Sequence, residues 1–141
     1  MNAQDRNFSK QHGSKQQVAD ACSHLCQQIR ESLSKLRGQS SLTDAALRCV
    51  IGVSGGEDSH VLLHTLCELS ASEQLDLVVA HLDHALRPES RNEAEFVAKL
   101  AVHYGLPCRI HRVEAPPQAE NVEAWAREVR YRFLSEVCDE L

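Results

Sequence analysis

The chain has 141 residues, 43% hydrophobic and 25% charged, with 15 Lys and Arg against 20 Asp and Glu and a formal net charge of −5. That length builds one domain with a real core and not two, and the composition is that of a soluble globular protein. The acidic balance supplies no global attraction for nucleic acid, so any such contact needs a local basic patch. No apolar run nears the roughly 20 residues that cross a bilayer, so no membrane partner is expected. The first twenty residues are polar and carry no apolar export signal, which predicts a cytoplasmic location.

Residues 1–15 are polar and patternless and are predicted to be a disordered tail. Ser14-Lys-Gln-Gln17 fits a capping box, and Val18, Ala21, Cys22, Leu25, Ile29, Leu33 and Leu36 follow at helical spacing. Residues 16–38 are therefore predicted to be an amphipathic N-terminal helix, ended by Gly38, with a linker over Gln39 to Thr43. Residues 44–141 then form a second unit. Its first strand is Cys49 to Val53, followed by a Gly turn and a helix from Asp58 to about Ser70. Leu75 to Leu82 is a near-continuous apolar, β-branched run, which suits a parallel strand covered on both faces. Asp83 to Pro88 is a loop, and Ser90-Arg-Asn-Glu93 is a second capping box, opening a helix that Gly105 and Pro107 close. Cys108 to Val113 is a third strand, and Glu114 to Glu120 a loop. Asn121 caps a last helix with Trp125, Val129, Phe133 and Val137 as its apolar stripe. Strands alternating with helices predict an α/β fold with right-handed crossovers and a parallel sheet. Three strands make a thin sheet, and the helical pattern still runs at Leu141, so residues 44–141 read as the front part of a larger domain.

The six cysteines, Cys22, Cys26, Cys49, Cys67, Cys108 and Cys138, sit mostly in apolar segments and are predicted to be buried free thiols. Cys22-Ser-His-Leu-Cys26 places only two ligands on one helix face and predicts no metal site.

Chemistry concentrates in three stretches. In Ser54-Gly55-Gly56-Glu57-Asp58-Ser59, a strand meets a helix through glycines. Glycine removes bulk, and the helix start offers free N–H groups and a positive dipole end to an anion. The stretch lacks the Gly-Lys-Ser/Thr end of a Walker loop and the spacing of a dinucleotide fingerprint, yet suits a pyrophosphate nest. Asp58 either caps the helix or helps hold Mg²⁺. His81-Leu-Asp-His84-Ala-Leu-Arg87 ends the second strand, on the same rim as the Gly turn, where open α/β sheets bind ligands. Arg87 suits a phosphate or carboxylate, while His81, Asp83 and His84 match no strong zinc spacing. On the last helix, Arg127 and Arg130 share a face, either as a basic surface near a phosphate or as a salt-bridged outer face. His60 and His64, one helical turn apart, read as surface residues.

With these residues in view, the S-G-G-x-D-S turn after a strand resembles the PP-loop of ATP pyrophosphatases, which cleave ATP to AMP and pyrophosphate. Ala80-His-Leu-Asp-His-Ala-Leu-Arg-Pro-Glu-Ser90 followed by Glu93-Ala-Glu-Phe-Val97, and Asn121-Val-Glu123 running into Ala126-Arg-Glu-Val-Arg-Tyr131, are similar to the tRNA(Ile)-lysidine synthetase family. The resemblance spans about residues 48 to 138. It implies a Rossmann-like PP-loop domain that continues in the family beyond the third strand and its helix. It also implies a carbon–nitrogen ligase: ATP adenylates the wobble cytidine of a CAU-anticodon tRNA(Ile), and free lysine displaces AMP to form lysidine. Ser54, Gly55, Gly56, Glu57, Asp58 and Ser59 would then bind ATP phosphates, with Asp58 as the catalytic and Mg²⁺ candidate. His81, His84, Arg87, Arg127 and Arg130 are candidate substrate or phosphate contacts. The family usually has a small or apolar residue at the Glu57 position, and its tRNA-gripping parts lie outside these 141 residues. Two other readings stay open: another PP-loop adenylating enzyme such as a tRNA thiolase, or a non-catalytic ATP-binding module.

Overall fold

The computed structural model describes residues 3–39, 46–86, 88, 90–114 and 121–141, with side chains in the first helix described for residues 20–38. Seven elements follow one another as α1 (Ala3–Gln39), β1 (Leu47–Gly52), α2 (Glu57–Leu69), β2 (Leu75–Asp83), α3 (Ser90–His103), β3 (Cys108–Arg112) and α4 (Val122–Asp139). The chain divides into two compact units, Met1–Ala45 and Ala46–Leu141.

The first unit is the helix α1. It begins at Ala3, well before the Ser14 capping box, so the residues expected to be a disordered tail are helical almost from the start. Before Ser14, Ala3, Gln4, Arg6, Lys10 and Gln11 are good helix formers, set among weaker ones such as Asn7 and Gly13. The linker expected over residues 39–43 lies almost wholly outside the described residues.

The second unit is a parallel three-stranded sheet in the order β1-β2-β3. Gly52 pairs with Ala80, and Asp83 pairs with Arg112, so the C-terminal ends of the strands form one rim. The continuous apolar run of β2 is explained by its place: as the middle strand it buries Leu77, Val78, Val79 and Ala80 on both faces. A Cβ on Gly52 would meet Leu134 of α4 at 3.5 Å, so Gly52 and its partner Ala80 face α4. Alternation turns Val79, His81 and Asp83 to the other face, where α3 packs on β2 and β3. Leu63, Val79 and Val97 are the largest fully buried side chains, joined by Ile51, Val53, Leu66, Leu69, Leu100, Ala101 and Val137. Each such Val, Leu or Ile side chain contributes about 1.5–3 kcal/mol by leaving water.

Several boundaries follow the local chemistry expected. Gly105 takes φ +66° just past α3, and Asn121 Oδ1 accepts a hydrogen bond from Ala124 N–H at 3.3 Å to cap α4. The cysteines are free thiols, but they are not buried: Cys22 and Cys138 are exposed and the other four are half-buried. Among the described residues no helix is long and apolar enough to cross a membrane.

Candidate nucleotide site

β1 ends at Gly52, and Val53 is still tied to the sheet by donating its N–H to Ala80 O at 2.9 Å. The next residues turn sharply. Gly55 takes φ +91°, a conformation L side chains rarely adopt, and a Cβ there would lie 3.5 Å from Glu93 Cβ of α3. The two serines brace the turn. Ser54 Oγ accepts from Gly56 N–H at 3.3 Å and donates to Ser59 Oγ at 3.2 Å. Ser59 Oγ accepts from Ser54 N–H at 3.3 Å and donates to Gly56 O at 2.8 Å. The hydroxyls thus shape the loop and occupy the N–H groups of Ser54 and Gly56.

Gly56 is the N-cap of α2 and makes no side-chain cap. The expectation that Asp58 caps this helix is therefore corrected: Glu57 and Asp58 already belong to its first turn. The reason is the turn itself, which places a glycine at the cap and moves both carboxylates one and two residues inside. The first-turn N–H groups have no partner within the helix and carry its positive dipole end. Glu57 and Asp58 are exposed.

Beside this loop lies a cavity of about 380 Å³. Ser54, His81, Asp83, His84, Ser90, Glu93 and Arg130 supply its polar lining, and Phe133 and Leu134 of α4 part of its apolar wall. The volume falls within the roughly 300–1,000 Å³ typical of small-molecule pockets. His81 is 3% exposed, and its Nδ1 lies 2.7 Å from Val53 O. A carbonyl only accepts, so Nδ1 carries the proton. His84 sits edge-on to Trp125, with ring centroids 5.8 Å apart. Burial and the Arg130 guanidinium push the His84 pKa below the ordinary histidine value, with Asp83 pulling upward and His81 adding to the depression. His84 is accordingly neutral at pH 7.

Asp83 closes the rim between β2, β3 and α3. Its Oδ1 accepts from Ala85 N–H at 2.8 Å, and its Oδ2 pairs with Arg112 Nη1. Ser90 also hydrogen-bonds to the carboxylate, and its hydroxyl lies 3.5 Å from Arg112 Nη1. Burial alone would raise the carboxyl pKa, but the hydrogen bonds from Ser90 and Ala85 and the charge of Arg112 outweigh it and hold the group below its usual range. Asp83 is thus engaged in an ion pair, and among the described residues no group of three His, Cys, Asp or Glu is placed to hold a metal.

Of the residues singled out by sequence, Ser54, His81, His84 and Arg130 line this one cavity, and Gly55 to Ser59 continue from Ser54. Arg127 is directed elsewhere: its guanidinium lies over the Tyr131 ring, 5.7 Å from the centroid. Arg87 lies outside the described residues. His64 bonds Tyr104 at 3.0 Å, and His60 meets Phe96 edge-on, both away from the cavity lining. Sequence reasoning missed Ser90 as a rim residue, Glu93 against Gly55, and Arg112. The one signal for Arg112 was its position at the end of a strand whose C-terminus had to reach the same rim.

A family model described as a PP-loop domain matches residues 21–141. The chain belongs to the PP-loop family. The loop at Ser54–Ser59, the cavity and α4 all lie within the matched span. The tRNA(Ile)-lysidine synthase of Thermus thermophilus is 49% identical over 117 residues, covering 80% of this chain and 21% of that protein. That of Solibacter usitatus is 49% identical over 90 residues, 63% of this chain and 19% of that protein. That of Enterococcus faecalis is 42% identical over 90 residues, covering 64% and 20%. The chain thus spans about a fifth of the length of these curated relatives. Among solved structures, the U34-tRNA thiolase NcsA from Methanococcus maripaludis with its [4Fe-4S] cluster superposes with a TM-score of 0.58 at 20% identity, over 79% of this chain and 41% of that one. At that identity the likeness bears on the fold alone: a parallel α/β PP-loop sheet.

Proposed function

We propose that this chain is the ATP-handling part of a tRNA(Ile)-lysidine synthase, a ligase that adenylates the wobble cytidine of a CAU-anticodon tRNA(Ile) and joins lysine to it. The observation that carries the reading is the serine-braced Ser54–Ser59 loop, with the open start of α2 facing the same rim as a cavity that holds Arg130. The 42–49% identity to lysidine synthases over this part supports the choice within the PP-loop family.

The chemistry asks for two displacements. The cytidine O2 attacks the α-phosphorus of ATP, a new P–O bond forms, and pyrophosphate leaves with the electrons of the broken bond. The lysine ε-amine then attacks C2, the C–O bond to AMP breaks, and the amine loses a proton. In the first step negative charge grows on the departing pyrophosphate. The backbone N–H of Gly55 and those of the first turn of α2, Glu57 to Ser59, would hold that charge in fixed positions, at no reorganisation cost. Arg130, which cannot lose its proton, would offset charge on the cavity side. Asp58, an exposed carboxylate in the first turn of α2, has the hard-oxygen chemistry that Mg²⁺ on the phosphates takes as ligand; the ion would neutralise phosphate charge. Cytoplasmic tRNA is the substrate pool this reading implies.

The test is incorporation of labelled lysine into a CAU-anticodon tRNA, using the chain with its downstream coding sequence and the chain by itself. The reading expects tRNA-dependent incorporation with one pyrophosphate per lysine in the longer protein. ATP binding with no incorporation by either would replace it with a non-catalytic ATP-binding module.

A further inference from the structure

The two ring nitrogens of His81 meet different surroundings. Strand alternation turns it to the face shared with Val79 and Asp83, where it is 3% exposed. Its Nδ1–H is used up by Val53 O, the carbonyl immediately before the loop. That contact fixes the tautomer of the neutral ring, in which Nε2 is a bare acceptor. Nε2 is buried and has no hydrogen-bond partner, although the residue lines the cavity. Buried acceptors without a partner are uncommon in native folds, and one that lines a cavity calls for a ligand. His84 Nδ1, the other buried side-chain atom lacking a partner among the described residues, belongs to the same cavity.

We propose that His81 is a positioning and specificity-determining residue: Nδ1–H anchors the Val53 carbonyl at the base of the loop, and Nε2 accepts a hydrogen bond from an N–H or O–H of the sugar or base of a nucleotide whose phosphates sit at Ser54–Ser59. The proposal rests on the nucleotide reading of that loop. The donor must belong to the nucleoside, because ionised phosphate oxygens only accept. His81 therefore favours nucleotides over bare polyphosphate, while holding the loop whether or not a ligand is bound.

Two substitutions separate the jobs. His81→Asn keeps a donor near the Nδ1 position and removes Nε2. His81→Gln keeps an acceptor near the Nε2 position and removes the donor to Val53. Calorimetric titrations with Mg·ATP and with tripolyphosphate are compared alongside thermal melts. His81→Asn is expected to melt near the parent, to bind tripolyphosphate equally, and to lose about tenfold in ATP affinity, the size of one good hydrogen bond. His81→Gln is expected to lower the melting temperature. ATP analogues lacking a ribose hydroxyl or the base amine identify the donor: the matching analogue loses the same factor in the parent and nothing further in His81→Asn.

A ¹⁵N-histidine spectrum of the parent adds a readout that a merely structural role would not move. His81 is expected in the Nδ1–H tautomer, with Nε2 shifting toward the hydrogen-bonded range on adding ATP and staying still with tripolyphosphate. Parent-strength ATP binding by a folded His81→Asn, or an unmoved Nε2 at saturating ATP, overturns the proposal while leaving the loop reading standing. No ATP binding by the parent removes both.

Discussion

Replacing Asp83 by Asn tests how the rim is held. The substitution keeps size and most hydrogen-bonding shape but removes the charge that Arg112, Ser90 and Ala85 N–H converge on. The Asp83 side chain is 2% exposed, but Arg112 is 40% exposed. Stranding Arg112 is therefore not the 3–5 kcal/mol cost of breaking a fully buried pair, because its guanidinium remains solvated. What is lost is the charged share of hydrogen bonds to a carboxylate, about 2 kcal/mol. For a unit of about 100 residues that corresponds to a fall in melting temperature of roughly 10 °C. The pH dependence follows from the sign of the shift. The folded-state pKa of Asp83 is lowered, so its stabilisation is complete above the unfolded value near 3.9 and disappears as pH falls through the lower folded value. The parent should lose stability more steeply than Asp83→Asn as pH drops below about 4. Calorimetric melts from pH 7 to pH 3 measure both effects. A variant melting within about 2 °C of the parent at pH 7, with the same acid slope, would refute the clamp.

Gly55→Val forces a β-branched residue to φ +91° and drives its side chain toward Glu93. Strain of about 1–3 kcal/mol is expected at that position, with at least a tenfold loss of ATP affinity by calorimetry. Arg130→Ala should weaken ATP binding about tenfold or more, and Arg127→Ala should leave it within about twofold, since only Arg130 lines the cavity. Arg130→Ala should also raise the His84 pKa, because that guanidinium helps depress it, and NMR titration of the ring protons reads the change. Asn121→Ala removes the α4 cap and should cost about 1 kcal/mol in a chemical-denaturation curve, with ATP affinity unchanged.

The element order was legible because periodicity and punctuation agree along this chain. The near-continuous apolar run of β2, the glycine after α3 and the asparagine before α4 each carry a local physical reason, and each is realised. The loop at Ser54–Ser59 was legible for the same reason: glycine at a strand-to-helix turn has few uses other than a tight approach. Long-range pairing was not legible. Asp83 and Arg112 meet only because β2 and β3 pair in one register, and Ser90, which reads as a helix cap, has its hydroxyl drawn to that pair. Arg127 and Arg130 look equivalent by spacing, yet Tyr131 claims one and the cavity the other. The burial of His81 follows from strand alternation once β2 is known to be the middle strand, which the sequence alone does not state. The helical start of α1 was missed because a polar segment without an apolar stripe offers no periodicity to detect.

Calorimetric titration of Mg·ATP into the chain, repeated in the presence of excess pyrophosphate, addresses the Ser54–Ser59 loop most directly. One saturable site is expected, displaced by pyrophosphate and weakened at least tenfold in Ser59→Ala, whose lost hydroxyl unbraces both Ser54 N–H and Gly56 O. An ATP isotherm indifferent to both pyrophosphate and Ser59, or no heat at millimolar ATP, would contradict the assignment of this loop to ATP phosphates.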